Sequence, residues 1–510
     1  MTTVSNVRGP GASYDLLVIG GGINGTGIAR DAAGRGLSVL LCERGDLAEF
    51  TSSSSTKLIH GGLRYLEYYE FRLVREALAE RERLLRLAPH IIWPLRFVLP
   101  HDEGLRPAWM LRVGLFLYDH LARLRTLPGS TMVRLRTSPL GAPLQDRLSK
   151  GFVYSDCWVE DSRLVVLNAM DARARGAEIR TRTGVETARR IDGTWTATLR
   201  DEASGQTETL RARAVVNAAG PWVSETLGTT LGVNSRAAVR LIKGSHIVLR
   251  KLYEGDQAYI LQQPDKRIIF AIPYERDFTL IGTTDVPYAN EPGPVAISDE
   301  ETRYLCDCIN RSFTTSIGPG DVVWSYSGVR PLYDDAAANA SAVTRDYVLD
   351  LDDSGGQAPA LSVFGGKITT YRRLAEHAIE KIAPHFPNLK RPWTGDAILP
   401  GGGMPEADFD TFLAAFSREA PFLPTETAKR LARAYGTEAR SIVKGARSLA
   451  DLGEAFDGGL TAAEVDYLVR VEWVRTTEDI LWRRSKLGLR TGPDSAARLT
   501  AYLSRRAEAA

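Results

Sequence analysis

A chain of 510 residues, 44% hydrophobic and 25% charged, is long enough for two or three domains and has a soluble globular composition. Its formal net charge of only +2 argues against nucleic-acid binding by bulk charge and confines any basic feature to a local site. Four cysteines, Cys42, Cys157, Cys306 and Cys308, are too few for a disulfide scaffold. Cys306 and Cys308 also lack the second Cys or His pair that zinc needs, so no metal site is expected.

Residues 1–13 read as an N-terminal extension. They carry no apolar h-region, and no later stretch reaches the roughly 18 apolar residues of a spanning helix. The expectation is a cytosolic protein, with attachment to a membrane surface left open. The first predicted strand is the apolar run Leu16 to Ile19, after which Gly20, Gly22 and Gly25 fall in G-x-G-x-x-G spacing. A helical pattern follows from Ile23 to Ala33 and stops at Gly36, and a second strand from Ser38 closes on Glu43. In this context Gly20 permits the tight turn, Gly22 the approach of a pyrophosphate, and Gly25 close helix–strand packing. The helix N-terminus offers free N–H groups to phosphate, and Glu43 can accept from ribose hydroxyls, which favours FAD or NAD over NADP.

The polar run Thr51 to Thr56 would read as a linker on its own. It leads directly into Lys57, His60, Gly61-Gly62 and Arg64, a mixture suited to holding an anion rather than to spacing domains. Phe71 to Ala88 has helical periodicity and ends before Pro89. Residues 106–127 mix arginines with Trp109, Leu111, Leu115, Phe116 and Leu117. That pattern fits two arrangements: a helix in a membrane interface, or a core-packed helix with an arginine-rich outer face.

Residues 212–223 predict a buried strand, Ala214 to Asn217, running into the small residues Ala218 to Gly220. Such residues let backbone lie against a cofactor. Residues 258–285 predict antiparallel strands with a turn at Pro264-Asp265-Lys266. Residues 361–382 read as strand, Gly365-Gly366 turn and helix, with a helix N-terminus near Lys367 to Thr370 that could stabilise negative charge on a reduced flavin. A Gly/Pro-rich boundary falls near 390–404. Beyond it the chain looks all helical, with a helix from Thr425 to Tyr435 stopped by Gly436 and a capping box of Thr461 and Glu464.

The segments GGGINGTGIARDAAGRGLSVLL, TSSSSTKLIHGGLRYLEYYEFRLVREALAER, RPAWMLRVGLFLYDH, YSDCWVED, RLIKGSHIV, IGTTDV, YSGVRPLYDD, TRDY and VFGGKITTYR closely resemble the FAD-dependent, quinone-linked glycerol-3-phosphate dehydrogenases. The resemblance spans about residues 14–500 in order. EWVRTTEDILWRRSKLG also matches, with packing and partner contact as its expected roles. The resemblance implies oxidation of sn-glycerol 3-phosphate at C2 to dihydroxyacetone phosphate. Hydride would pass to FAD N5, and electrons would leave to a quinone. The alternatives are an oxidase that uses oxygen and a non-catalytic FAD-binding scaffold.

The fold implied is α/β: a Rossmann-like FAD domain with an antiparallel β-sheet substrate cap and a C-terminal helical domain. The expected boundaries are 14–395 for the FAD domain with its cap, the cap mainly at 75–155 and 235–345, and 396–510 for the helical domain. Expected partners are glycerol 3-phosphate, a quinone, the inner face of the cell membrane and a second copy in a homodimer, with no nucleic acid.

The expected cofactor contacts are Gly20, Gly22, Ile23, Asn24, Gly25 and Glu43, then Thr51, Ser52 and Ser53. They continue with Lys57, Leu58, Ile59, His60, Gly61 and Gly62, then Ala219, Gly220 and Trp222, and finally Gly366, Lys367, Ile368 and Thr369. Lys57 would add charge near the pyrophosphate, and Gly61-Gly62 would let the chain pass the isoalloxazine face. The reaction needs a phosphate clamp and a proton acceptor. Arginine suits the clamp, and the candidates are Arg64, Arg330 and Arg345. His246, in KGSHIVL, is the first choice as general base. The resemblance implies that Lys367 positions the hydroxyl or steadies the reduced ring and that Tyr65 projects toward substrate, with His60 an alternative flavin contact. The sequence leaves open which group takes the proton.

Overall fold

The structure is a computed structural model that describes residues 11–102, 106–122, 126–233, 237–334 and 346–508. Strand β1 (Ser13–Ile19), helix α1 (Ile23–Gly34) and strand β2 (Val39–Glu43) form the opening unit. Leu16, Leu17 and Val18 are fully buried on both faces, as a central parallel strand requires. Each such side chain contributes roughly 1.5–3 kcal/mol of burial. The first sheet runs Val348–Asp352, Ala360–Phe364, Thr207–Asn217, β1, β2 and Glu178–Thr181. The four pairings from Ala360–Phe364 through to Glu178–Thr181 are parallel. A hairpin, Thr183–Ile191 with Thr194–Asp201, continues the sheet from the first half of Thr207–Asn217.

The second sheet is ten-stranded and mostly antiparallel. Its long members are Ile92–Pro100, Lys150–Val159, Val239–Arg250 and Val322–Tyr333. The strands Ala258–Gln262, Ile268–Tyr274 and Phe278–Gly282 lie between them in the order and with the turn that the sequence predicts. The short strand Leu58–Ile59 joins this sheet to the opening unit. Residue pattern also explains the helices. Phe71–Leu87 buries Leu73, Val74, Ala77, Leu78 and Leu84 along one face.

Helices Phe409–Glu419, Thr425–Tyr435, Ala462–Glu472 and Pro493–Glu508 share their own apolar core. A small ladder, Ala455–Phe456 with Leu460–Thr461, interrupts the helices. The capping box expected at Thr461 and Glu464 does not form. Thr461 makes no side-chain cap, and the Glu464 carboxylate instead pairs with Arg430 and accepts from the Tyr435 hydroxyl at 2.7 Å. A buried carboxylate gains more from a guanidinium than from a backbone amide. The helical domain docks through buried ion pairs, Arg163 with Glu472 and Arg484 with Asp46.

The segment 106–127 forms the helix Ala108–His120. It buries Leu115 and Tyr118 but exposes Trp109 at 70%, Val113 at 50% and Phe116 at 54%. The outer face thus carries Trp109, Val113 and Phe116 beside the exposed Arg112, while Arg123 and Arg125 of the segment lie outside the described residues. Among the described residues, no helix is long and apolar enough to cross a membrane.

Candidate active site

β1 and Thr207–Asn217 are parallel neighbours. The chain leaves them toward opposite sides, to β2 and to Ala360–Phe364. The crevice at their carboxyl ends is thus the topological switch point, where open α/β sheets hold ligands. Gly20 turns the chain there with φ +113°, and a Cβ on it would lie 2.5 Å from the Ala218 carbonyl oxygen. A Cβ on Gly25 would sit 1.9 Å from the Gly20 oxygen, so only glycine lets α1 approach this closely.

No side chain of the N-cap residue Gly22 covers the start of α1. The Ile23 amide donates instead to the Ser52 hydroxyl at 3.0 Å, which seats the serine loop on the helix N-terminus. Glu43 closes β2. Its carboxylate accepts from the Gly21 amide at 2.6 Å and the Gly45 amide at 2.8 Å, fixing it at the crevice edge. Burial pushes the Glu43 carboxyl up.

Asn24 ties this end to the 365–366 turn, donating to the Gly365 carbonyl at 3.1 Å, while its own Oδ1 is buried without a partner. Gly365 and Gly366 both take positive φ, and Gly366 is exposed although the turn lies inside the fold. Ala219 and Gly220 are half-buried beyond Ala218. Trp222 packs edge-on to Phe50 at 4.6 Å, under the Arg44 guanidinium at 4.4 Å. A glycine-lined crevice, an open helix N-terminus, a fixed acid and an unpartnered Asn24 oxygen fit a dinucleotide.

The serine run is an ordered loop. Thr51–Ser53 form a 3₁₀ turn, with the Ser53 hydroxyl bonded to the Phe50 carbonyl. Thr51 Oγ1 donates to the Val329 carbonyl at 2.6 Å, and Ser55 Oγ donates to Asp161 at 2.7 Å. Three of the expected contact positions also have partners inside the protein. The Lys57 ammonium is fully buried, 2.9 Å from both Asp161 oxygens and 3.0 Å from the Ser53 carbonyl, so its charge is spent inside the protein. Leu58 and Ile59 send their side chains into apolar cores. Packing alone already calls for glycine at Gly61: its amide donates to the Tyr118 hydroxyl at 2.7 Å, and a Cβ would strike Leu78. Gly62 has φ +74° beneath the Tyr65 ring.

The reaction face is built by register. Val239–Arg250 pairs with Val322–Tyr333 so that His246 opposes Tyr326, Gly244 opposes Gly328 and Ile242 opposes Arg330. Directly opposed residues share a face and alternate residues repeat on it, so His246, Tyr326 and Arg330 lie on one side. Arg330 lies across Gly244, where a Cβ would be 1.9 Å from its guanidinium. Its fork is held by the Thr284 carbonyl at 2.8 Å, Thr283 Oγ1 at 3.2 Å and Asp285 at 2.9 Å.

His246 is buried, stacked on Tyr326 at 4.7 Å and 15°, and its Nε2 is 3.0 Å from Thr56 Oγ1. Its Nδ1 is buried without a partner. Burial, then the Arg330 and Lys57 charges, hold this imidazole well below the usual histidine range, so it is neutral at pH 7. It sits mid-strand among residues buried on both faces, not at the start of an alternating strand.

Arg64 is half-buried, with Nε unpartnered and a contact to the Tyr68 hydroxyl at 3.5 Å. Lys367 Nζ lies 4.0 Å over the Tyr65 ring, which brings these two expected residues together. His60 donates its amide to Thr369 Oγ1 at 3.3 Å, and burial lowers its imidazole below the ordinary value. Ile368 packs against the main core. Arg345 lies outside the described residues.

The family model "FAD dependent oxidoreductase" matches residues 15–372, and "C-terminal domain of alpha-glycerophosphate oxidase" matches 393–506. The chain belongs to the FAD-dependent oxidoreductase family. A glycerol-3-phosphate dehydrogenase of Pseudomonas aeruginosa is 55% identical over 96% of this chain and 95% of its own. A D-erythritol 1-phosphate dehydrogenase of Brucella abortus is 54% identical over 92% of this chain and 94% of its own. The aerobic glycerol-3-phosphate dehydrogenase of Escherichia coli is 51% identical over 96% and 97%. The structure of the Bacillus halodurans glycerol-3-phosphate dehydrogenase complexed with FAD superposes with a TM-score of 0.74 at 28% identity, covering 93% of this chain and 86% of that one.

For this FAD-dependent oxidoreductase, sequence reasoning missed Thr56, Tyr326 and Asp285 as parts of the site. Tyr326 stood in view inside YSGVRP, but its role exists only through pairing with residue 246 across the sheet.

Proposed function

We propose that the chain oxidises the C2 hydroxyl of sn-glycerol 3-phosphate to dihydroxyacetone phosphate and passes the electrons to a quinone at the inner face of the cell membrane. The observation that carries this reading is the face shared by Arg330 and His246, a fixed guanidinium fork beside a neutral imidazole. Bound FAD supplies the acceptor for the hydride that leaves the substrate carbon. Arg330 would hold the phosphate dianion, with Arg64 the second candidate and Arg345 a third.

His246 takes the hydroxyl proton. If its Nε2–H donates to Thr56 Oγ1, the Nδ1 lone pair is left to accept. Lys367 would place positive charge beside the isoalloxazine, backed by the Tyr65 ring. The ten-stranded sheet excludes water over the reacting atoms. The exposed Trp109, Met110, Val113 and Phe116 on Ala108–His120 would seat that helix in the lipid interface, where a quinone is reached. A homodimer in solution belongs to the same reading.

A second substrate is favoured by the 54% identical D-erythritol 1-phosphate dehydrogenase, since one clamp and one base would serve a polyol phosphate a carbon longer. Anaerobic titration with each compound, following the flavin absorbance, decides between them. Bleaching at lower concentration by glycerol 3-phosphate supports the proposal. Bleaching only by D-erythritol 1-phosphate reassigns the substrate, and bleaching by neither overturns the reading. Peroxide yield against turnover of a quinone analogue separates dehydrogenase from oxidase.

A further inference from the structure

We propose that the short turn Asp479–Arg484 of the helical domain positions both ends of the active site, the nucleotide end through Arg484 and the reaction end through Trp482. The second half rests on the reading of His246 as the proton acceptor.

At the nucleotide end, Arg484 and Asp46 are both fully buried, paired by two parallel bonds of 2.7 and 2.8 Å. Arg483 adds a third contact to the same carboxylate at 2.7 Å. Asp46 lies three residues past Glu43, in the loop whose Gly45 amide fixes the Glu43 carboxylate and whose Ala48 amide bonds the Gly21 carbonyl at 3.2 Å. The loop that places the ribose acid and the glycine turn is therefore anchored from the far end of the sequence. Arg484 is held in turn by the Glu472 carbonyl at 2.6 Å, and Asp479 accepts from Arg182 at 2.6 Å, so the anchor is itself rigid.

At the reaction end, Trp482 stacks on Trp324 at 4.3 Å and 20°. Trp324 packs on Tyr326 at 5.1 Å, and Tyr326 stacks on His246. The Tyr326 hydroxyl also donates to the Ser55 carbonyl at 2.8 Å. A continuous run of rings thus connects the turn to the face of the imidazole. Removing its outer member frees Trp324, then Tyr326, and lets the His246 ring tilt. The arrangement needs both residues on one element only two positions apart, which gives a reason for the helical domain to be present in an enzyme whose cofactor and reaction groups lie elsewhere. Arg484 acts through Asp46 and Trp482 through Trp324, so both are positioning residues.

The test uses the full-length holoenzyme and the variants Arg484→Met, Arg484→Lys, Trp482→Ala and Trp482→Phe. FAD affinity is measured by fluorescence titration after removal of the flavin. Arg484→Met should raise the FAD Kd by about tenfold or more, because the buried Asp46 carboxylate loses its two parallel bonds and keeps the contact of Arg483. Arg484→Lys should recover part of it. At saturating FAD, Trp482→Ala should lower kcat about tenfold with KM nearly unchanged, since small misplacement of a reacting group costs rate rather than binding. It should also move the acid limb of the kcat/KM profile, and Trp482→Phe should restore both.

The groups that face His246 and set that limb are Thr56, Tyr326, Arg330 and Lys57, with Lys486 of the helical domain acting on Lys57. Wild-type FAD affinity in Arg484→Met, or a wild-type kcat and pH profile in Trp482→Ala, overturns the proposal. Should Arg484→Met fail to fold, Asp46→Asn removes the same charge pair at constant shape and is read the same way. If the native enzyme oxidises neither polyol phosphate, the functional reading falls, while the FAD titration still upholds or overturns the positioning role.

Discussion

The nucleotide end and the reaction end of this site are built by opposite means. The first is local backbone: Gly20, Gly25 and Glu43 fall within one strand–helix–strand unit, and their geometry follows from one turn and one helix N-terminus. The second is assembled across a sheet ladder, where Thr56, His246, Tyr326 and Arg330 come from three separate segments. The contrast teaches that binding the cofactor and using it are separable properties of this chain. Each can be damaged while the other survives.

The most severe way to break the comparison is Gly25→Val. Its side chain would need the space of the Gly20 carbonyl, so α1 must move from the crevice. Such overpacking costs about 1–3 kcal/mol or more. The expected product is colourless or poorly folded protein, checked by flavin content after purification.

Arg330→Ala acts on the other side. It should leave FAD content unchanged and lower kcat/KM by about a hundredfold or more, the usual scale for losing a charge-assisted anchor. Steady-state kinetics at full flavin loading measures this.

Acid sensitivity sharpens the comparison at smaller amplitude. His90 is buried with both nitrogens unpartnered and its pKa is lowered to about 3, chiefly by burial and then by Arg163 and Arg433. The folded form therefore binds the proton later than the unfolded chain does. Stability is unaffected by this group above about pH 6.5 and falls as pH drops toward about 3, by up to about 1.4 kcal/mol per unit. His246 acts in the same direction. His90→Gln should narrow the difference in Tm between near pH 5 and near pH 7, because it removes one of the buried histidines that act this way, His60 being another. An unchanged difference would assign the acid loss elsewhere.

The smallest effect concerns neither end. Phe116→Ser should leave flavin content and turnover with a soluble quinone analogue intact while weakening sedimentation with anionic vesicles by about tenfold, a half-exposed aromatic's share of burial.

How far the sequence was legible follows the same division. The span from β1 to Glu43 and the helix Thr425–Tyr435 with its stop at Gly436 were readable because each is decided by neighbouring residues. The pairing of Lys57 was not legible because its partner, Asp161, is remote in sequence and reaches it only once the sheets form. The packing demand on Gly61 was hidden for a like reason: the atoms that crowd it belong to Leu78 and Tyr118. His246 was found by residue type and motif, but its stacking on Tyr326 and its bond to Thr56 depend on strand register, which no single segment encodes. Likewise the resemblance pointed to 472–488 only as packing or partner contact, since its contacts with Asp46 and Trp324 join segments remote in sequence.

The most direct measurement is single-turnover reduction of the flavin in His246→Gln under anaerobic conditions, at full FAD occupancy and saturating glycerol 3-phosphate. If the sheet face does the chemistry while local backbone holds the cofactor, FAD binding stays at the native level and bleaching slows by about a hundredfold or more. Native bleaching rates, or loss of FAD in step with activity, would contradict it.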